Sequence, residues 1–263
     1  MHSWKHRWNI LISALLLSLI TSIPAYGLEI AGDQSYPPYS FKANGKITGI
    51  YTDIIASAVT RMEQPATITF LPWKRGLSDL KNGKLSMLYP PYYRPKQRPY
   101  MAYSTAILEE TLVIYCHRDL KLTDKQFPQD YNGLTFGQNS GFSSGPAVEA
   151  ATRQGIIRLT EVNSTAANLK KLFNRRIDCY INDRLSIQYQ LALMNKARPL
   201  SLSDIEETHI LSREKGYLAF NKEAGNDVKR FIEQFNQVIA TMKASGEIDA
   251  IVERYTRTSS AAK

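Results

Sequence analysis

Residues 89–103, YPPYYRPKQRPYMAY, carry five tyrosines, four prolines and three basic residues, with no acidic residue among them. Proline fixes the backbone, tyrosine offers an apolar face with a polar tip, and arginine presents a planar donor fork to an anion. An extended apolar run, TLVIYC at residues 111–116, follows directly. The segment therefore predicts either a rigid loop that grips a small ligand or a basic surface loop whose rings pack on the body of the protein.

Upstream of this loop, strand patterns alternate with helix patterns. Residues 28–32 and 66–70 are rich in apolar and β-branched side chains and predict strands. Between them, apolar residues recur at helical spacing over residues 52–62, and a second helix is predicted over residues 72–82. This alternation predicts βαβ units and a mostly parallel sheet.

Downstream of the loop, the same alternation begins again. Strands are predicted at residues 134–137, 157–162 and 177–181, each followed by a helix, and a long amphipathic helix stops at Gly246. No Ser/Gly-rich linker separates the two sets, which meet near residue 110. The chain is therefore predicted to form two α/β lobes that are joined by extended strands.

The N-terminus has the features of a secretory signal. Lys5 and Arg7 precede an apolar run at residues 9–23, Pro24 breaks the run, and small residues allow cleavage after Gly27. An uncleaved membrane anchor is the alternative interpretation. Removing 27 of the 263 residues leaves 236, enough for one large domain or two lobes of about 100 residues each.

The charge pattern argues against nucleic-acid binding. The net charge of the chain is +9, and the basic residues are scattered rather than gathered into a stripe. The predicted export from the cytoplasm argues against the same class of function. Cys116 and Cys179 both lie in predicted strands, so they are either buried apolar side chains or a disulfide that the oxidising compartment permits.

No pattern in the sequence indicates catalysis, a metal or a cofactor. After the leader, the chain has only His117 and His209, and it lacks a nucleophile elbow, cysteines at metal-binding spacing and a phosphate-cradling loop. Glu109 and Glu110 are adjacent acids, but successive residues of a strand face opposite sides, so they are a poor acid/base pair. We therefore expect that the protein is not an enzyme.

Several short motifs follow one another along the mature chain. They are YPPYSF at residues 36–41, LPWKR at 71–75, AYS at 102–104, GLTFG at 133–137, NLKKL at 168–172 and MKASG at 242–246. Their order and spacing resemble those of the family 3 periplasmic solute-binding proteins of ABC transporters, the type that binds polar amino acids.

The resemblance implies an α/β, two-lobed periplasmic binding protein fold. Each lobe would be a mostly parallel sheet flanked by helices, and two crossing strands would join the lobes. Lobe 1 would comprise residues 28–109 and 217–263, and lobe 2 residues 110–216. A ligand cleft would lie between the lobes, and a hinge at the crossings would close on the ligand.

The resemblance also implies two charged anchors. The arginine that binds the ligand carboxylate would be Arg98 or Arg94, and Asp183 would hold the ligand ammonium. Asp183 lies between a strand and a helix, so it could equally cap that helix. The loop departs from the family pattern at Pro90 and Pro91, because proline has no N–H to donate.

Apolar walls and a polar turn complete the predicted site. Tyr36, Tyr39 and Trp73 are candidate ring walls, although each could equally be core packing. The turn at residues 139–144 precedes a helix, and we expect the backbone around Ser140, Phe142 and Ser143 either to bind an anion or to be a plain connection.

The sequence thus predicts a monomeric periplasmic protein that captures a small polar ligand, an amino acid or related anion, and delivers it to an ABC permease. The same closed state would serve a partner of a membrane signalling receptor, which is the first alternative. A periplasmic dehydratase on the same fold is a second alternative, with Asp183 as the obvious acid.

Overall fold

The structure is a computed structural model that describes residues 27–43, 45–62 and 64–260. The predicted leader at residues 1–26 lies outside these residues. The strands are β1 (Leu28–Asp33), β2 (Ser35–Tyr36), β3 (Ser40–Ala43), β4 (Lys46–Thr48), β5 (Ala66–Leu71), β6 (Met87–Tyr89), β7 (Met101–Tyr103), β8 (Leu108–His117), β9 (Thr135–Asn139), β10 (Arg158–Val162), β11 (Cys179–Asp183), β12 (Ile205–Gly216) and β13 (Ala219–Asn221). The helices are α1 (Ile50–Thr60), α2 (Trp73–Lys81), α3 (Pro146–Arg153), α4 (Thr165–Phe173), α5 (Arg184–Ala197), α6 (Asn226–Ala244) and α7 (Glu247–Ser260).

Lobe 1 is built on a sheet of order β5-β1-β6-β13-β7. Strands β5 and β6 pair with β1 in parallel, while β13 is antiparallel to β6 and β7. Helices α1, α6 and α7 contribute Ile54, Phe231 and Ile251 to a core on one side of this sheet. Leu80 of α2 packs on a second cluster with Leu88 of β6. The apolar spacing that predicted these helices is therefore the spacing of their buried faces.

Lobe 2 is built on a sheet of order β10-β9-β11-β8-β12. Its first three strands are parallel, and β8 is antiparallel to β11 and β12. Two apolar clusters, one containing Phe136 and the other Leu169, are formed from its strands and helices. Ser164 caps α4 by accepting a hydrogen bond from the N–H of Ala167, as the sequence predicts for this helix start.

Strands β8 and β12 run between the lobes as a paired ribbon. Their register extends from Leu108 opposite Gly216 to His117 opposite Ile205. Strand β12 ends at Gly216, and β13 of the lobe 1 sheet begins at Ala219. The two-lobed α/β fold is confirmed, and its sheets are mixed because β8, β12 and β13 add antiparallel pairs. The residue boundaries of the lobes stay a prediction.

The two cysteines form a disulfide between neighbouring strands. Cys116 of β8 lies directly opposite Cys179 of β11 in the antiparallel register, and both side chains are fully buried. Of the two interpretations that the sequence leaves open, the bridge is therefore the correct one. Within the described part of the chain, no helix combines the length and apolar character needed to cross a membrane.

Candidate ligand-binding cleft

The facing edges of the two lobes contact each other directly. Trp73 at the start of α2 donates from its indole N–H to the carbonyl of Gly141 in lobe 2, at 3.1 Å. On the other side of the cleft, the Ser186 hydroxyl donates to the carbonyl of Pro37 at 2.8 Å. The cleft is therefore closed in this conformation.

A small cavity remains between the lobes. Its volume is about 20 Å³, room for about one water molecule, so a larger ligand requires the lobes to move apart. The cavity is lined by Asp33, Tyr36, Trp73, Pro90, Tyr92, Arg98, Phe142 and Ser143. Five of the residues predicted from the sequence, Tyr36, Trp73, Arg98, Phe142 and Ser143, therefore meet at one place.

Aromatic rings from both lobes form much of the cavity wall. Phe142 of lobe 2 contacts Tyr36 edge-on, with ring centroids 5.2 Å apart, and Trp73 with centroids 6.2 Å apart. Tyr39, also predicted as a wall, lies behind Tyr36 at 4.9 Å and does not line the cavity. The rings of Tyr36, Trp73 and Phe142 offer flat apolar faces to whatever occupies this space.

The two candidate arginines have different surroundings. Arg98 lines the cavity and is 7% exposed, donates to the carbonyl of Gly141 at 3.2 Å, and lies over the Trp73 ring. Burial lowers the pKa of Arg98, and among the described residues no carboxylate lies within ion-pair distance of it. Arg94 is instead paired with Glu214 at 2.8 Å and donates to the Ser143 hydroxyl at 3.0 Å. The structure therefore leaves Arg98, rather than Arg94, available to an anion in the cleft.

The turn after β9 presents a carbonyl to lobe 1 instead of N–H groups. The N–H of Ser140 donates to the carbonyl of Val162, and that of Phe142 donates to Asn139. The Ser140 hydroxyl bonds to Glu161, and Ser140 does not line the cavity. At Ser140 and Phe142, the N–H groups that we expected to meet an anion already have partners inside lobe 2.

Asp183 lies at the end of β11, where it is 1% exposed. One carboxylate oxygen caps α5 by accepting from the N–H of Ser186 at 2.9 Å, and the other accepts from the N–H of Thr111 at 3.0 Å. Burial raises the pKa of Asp183 to about 6, and hydrogen bonds from Ser186, Tyr39 and Thr111 oppose that rise. The capping role is thus present, and the ligand role stays a prediction.

Sequence reasoning missed Glu110 as a residue of the cleft. Its carboxylate is 2% exposed and accepts hydrogen bonds from the hydroxyls of Tyr51 at 2.6 Å, Tyr92 at 2.7 Å and Tyr36. Burial, and then the nearby charge of Asp183, raise the pKa of Glu110 to about 8. The period-2 pattern was a usable signal, because alternate residues of β8 from Glu110 onwards are buried and Glu109 is exposed.

Asp33 is the second residue that sequence reasoning missed. It ends β1, lines the cavity and is 3% exposed. Burial raises its pKa to about 7, and a hydrogen bond from the N–H of Ser35 opposes this. Its position at the carboxyl end of a parallel strand, where ligands of α/β sheets commonly bind, was the signal that could have found it.

The charges of the cleft are therefore unequal. Asp33, Glu110 and Asp183 are buried carboxyls, and within the described ranges none of them forms an ion pair, while Arg98 is a buried arginine that lines the cavity with Asp33. Across residues 27–260, apart from positions 44 and 63, no group of three His, Cys, Asp or Glu side chains is arranged to hold a metal ion.

A two-lobed α/β fold that closes over a polar cleft defines a class of proteins that capture small solutes. The model of the bacterial extracellular solute-binding proteins, family 3, matches residues 28–258. The chain belongs to this family, whose members include amino-acid-binding proteins.

Individual relatives have low sequence identity to this chain but align with it over most of their length. The probable amino-acid-binding protein YxeM of Bacillus subtilis (strain 168) is 21% identical, over 95% of this chain and 94% of its own. A probable histidine-binding protein of Campylobacter jejuni is 24% identical, over 87% of this chain and 84% of its own. A histidine kinase sensor domain with similarity to periplasmic binding proteins superimposes with a TM-score of 0.74 at 17% identity, covering 88% of this chain and 96% of that domain.

Proposed function

We propose that this protein captures a small polar solute, an amino acid or a related anion, between its two lobes in the periplasm and delivers it to an ABC permease. Family membership supports solute binding over catalysis. The observation that carries the proposal is Arg98, a buried arginine that lines the cavity between the lobes without a carboxylate partner among the described residues. A guanidinium in this setting is suited to binding a carboxylate bidentately.

The acids of the cleft supply the complementary half of the site. Asp33 lines the same cavity, and Asp183 lies buried at the end of β11. An amino acid that offers its carboxylate to Arg98 would offer its ammonium to these carboxyls. Tyr36, Trp73 and Phe142 would enclose the apolar part of the ligand.

The test is a binding screen of the chain from residue 28 after unfolding and refolding to remove bound solute. Thermal shift and calorimetry would cover amino acids, polyamines, dicarboxylates and short peptides. A ligand at a hundredfold excess over its dissociation constant adds about 2.7 kcal/mol to the free energy of unfolding. We expect the shift to occur with an amino acid and to be lost in Arg98→Met and Asp183→Asn.

Arg75→Met is the matched control, because Arg75 is an exposed arginine of lobe 1 that is paired with Asp79. We expect this variant to bind as the unchanged protein does. If the only compounds that bind are carboxylates without an amine, Asp183 does not hold a ligand ammonium. If no compound produces a thermal shift, the proposed function is contradicted.

A signalling role is a second candidate, because a histidine kinase sensor domain shares this fold. Uptake of the labelled ligand by cells that lack the gene separates the two roles. Lost uptake supports delivery to a permease. Normal uptake with a lost transcriptional response to the ligand supports a membrane sensor as the partner.

Export to the periplasm can be tested separately from ligand binding. The family is one of extracellular solute-binding proteins, and we propose export by the leader at residues 1–27. The mass of the protein recovered from the periplasm should correspond to a chain that begins at Leu28. A periplasmic mass that includes the leader would show an anchored protein instead.

A further inference from the structure

Glu110 lies at the centre of a cluster of tyrosine hydroxyls. The three donors come from separate parts of lobe 1, namely Tyr36 of β2, Tyr51 of α1 and Tyr92 of the loop after β6. A phenol has one proton to donate, and an ionised carboxylate can only accept. Each of these hydroxyls therefore uses its proton on Glu110 when Glu110 is ionised.

Two of the three hydroxyls belong to residues that line the cavity, Tyr36 and Tyr92, and their oxygens lie 3.2 Å apart. With both protons directed to Glu110, these oxygens can accept a hydrogen bond from a ligand but cannot donate one. A ligand N–H group would find two acceptors there. A ligand carbonyl or carboxylate would find no donor and a negative charge behind the acceptors.

The other surroundings favour a positive charge at the same place. Asp33 is a further buried carboxyl of the cavity, and the faces of Trp73 and Phe142 attract cations through their ring quadrupoles. Arg98 is the arginine of the cavity lining, so the three buried carboxyls, Asp33, Glu110 and Asp183, outnumber it when they are ionised. Building on the proposed function, we propose that Glu110, acting through Tyr36 and Tyr92, makes the cleft selective for amino acids that carry, besides the α-ammonium, a cationic N–H group on the side chain, an ammonium or a guanidinium.

Protonation of Glu110 gives the selectivity a pH dependence. The titratable groups around Glu110 are Tyr36, Tyr39, Tyr51 and Tyr92 of lobe 1, Asp183 of β11, and on β12 the opposing Glu214, which is paired with Arg94. Burial raises the pKa of Glu110 to about 8, and a bound cation would lower it again. Binding of a cation then releases a proton below pH 8, so affinity should rise with pH, by up to about tenfold per unit.

The experiment compares matched ligands by calorimetry at pH 7.5. Arginine and citrulline have the same length but carry a guanidinium and a neutral urea group, and lysine pairs with Nε-acetyl-lysine in the same way. Nε-trimethyl-lysine keeps the charge but has no N–H on the side-chain nitrogen. We expect each cation to bind at least tenfold more tightly than its neutral partner, and lysine to bind more tightly than its trimethyl form.

Glu110→Gln should reduce the preference for the cation at least tenfold and flatten the pH profile. Glu109→Gln is the matched control, since it removes the same charge from the exposed side of the same strand. If Glu110→Gln does not fold, Tyr92→Phe removes one of the two acceptors and should reduce the same preference. A pH profile of arginine binding by the unchanged protein provides an independent measurement.

The results that would overturn the cation selectivity differ from the result that would overturn solute binding. A neutral or acidic amino acid as the tightest ligand, or an equal effect of the Glu109 and Glu110 substitutions, would overturn the selectivity while leaving solute binding intact. Tighter binding of trimethyl-lysine than of lysine would also overturn it, because the cation would then be held by ring faces alone. No binding of any amino acid would contradict the proposed function itself.

Discussion

Replacing Arg98 by methionine should separate ligand affinity from stability. The variant keeps an unbranched apolar stem and removes the buried guanidinium. In the structure, this group donates one hydrogen bond of 3.2 Å to Gly141 and lies 5.6 Å from the centre of the Trp73 ring. It has no carboxylate partner among the described residues, so its burial is only partly compensated.

The contacts of Arg98 determine how much its removal changes the stability of the fold. A charged hydrogen bond contributes about 1.5–3 kcal/mol and a cation–π contact about 0.5–2 kcal/mol. Against these stands the cost of taking one charge out of water, which is several kcal/mol. The two sides nearly cancel, so Arg98→Met should change the free energy of unfolding by about 1 kcal/mol or less.

For ligand binding, no opposing contribution offsets the loss of the Arg98 guanidinium. A ligand carboxylate that pairs with Arg98 would form charge-assisted hydrogen bonds, together about 3 kcal/mol. Losing them weakens binding by a factor of about 100, since each 1.4 kcal/mol is tenfold. Guanidinium unfolding of the solute-free protein and calorimetry with its best amino-acid ligand measure the two quantities separately.

Arg94→Met is the matched comparison. It breaks the ion pair with Glu214, in which the Arg94 side chain is 12% exposed and the Glu214 side chain 13% exposed. The Glu214 carboxylate is then left largely buried without its partner. We expect a loss of about 2–3 kcal/mol of stability and a smaller change in affinity than in Arg98→Met. A loss of more than about 2 kcal/mol of stability in Arg98→Met, with the affinity retained, would contradict this role of Arg98.

Three further results are expected. The solute-free protein should lose stability as the pH rises from about 4.5 towards 8, because folding raises the pKa of Glu110 to about 8 and ionisation of this carboxyl then opposes folding. When the melting temperature is measured against pH, the curve for Glu110→Gln should be flatter than that of the unchanged protein. Removing the disulfide in a Cys116→Ala, Cys179→Ala variant opens a loop of 63 residues and should cost about 4 kcal/mol in urea unfolding, and a loss below about 1 kcal/mol would contradict this. Gly216→Ala would place a Cβ 1.8 Å from the Tyr51 hydroxyl, so a loss of about 1–3 kcal/mol is expected in the same assay, whereas unchanged stability would show that the hydroxyl moves freely.

The fold was predictable from the sequence because its signals are local. Alternating strand and helix patterns specify α/β units, and residues such as Ser164 and Asp183 mark helix starts without reference to distant parts of the chain. The crossing at β8 and β12 was harder to place. Its register depends on pairing between segments about 100 residues apart, which no local pattern specifies.

The candidate site was only partly predictable for the same physical reason. Arg94 and Arg98 are similar in sequence context, and what separates them is Glu214, which lies 120 residues from Arg94. Glu110 acquires its surroundings from Tyr36, Tyr51 and Tyr92, which lie 74, 59 and 18 positions away from it along the chain. Residue type suggested which side chains could bind a ligand, and tertiary contacts decided which of them face the cavity.

The direct contacts between the lobes have a consequence for the speed of binding. Trp73 with Gly141, Ser186 with Pro37, and the Lys74–Glu161 pair at 2.8 Å must separate before a solute can enter. Opening then becomes a kinetic step of its own, and the apparent affinity is reduced by the fraction of molecules that are open. In stopped-flow experiments, the observed association rate should level off at high solute concentration, and the plateau would be the rate at which the lobes part.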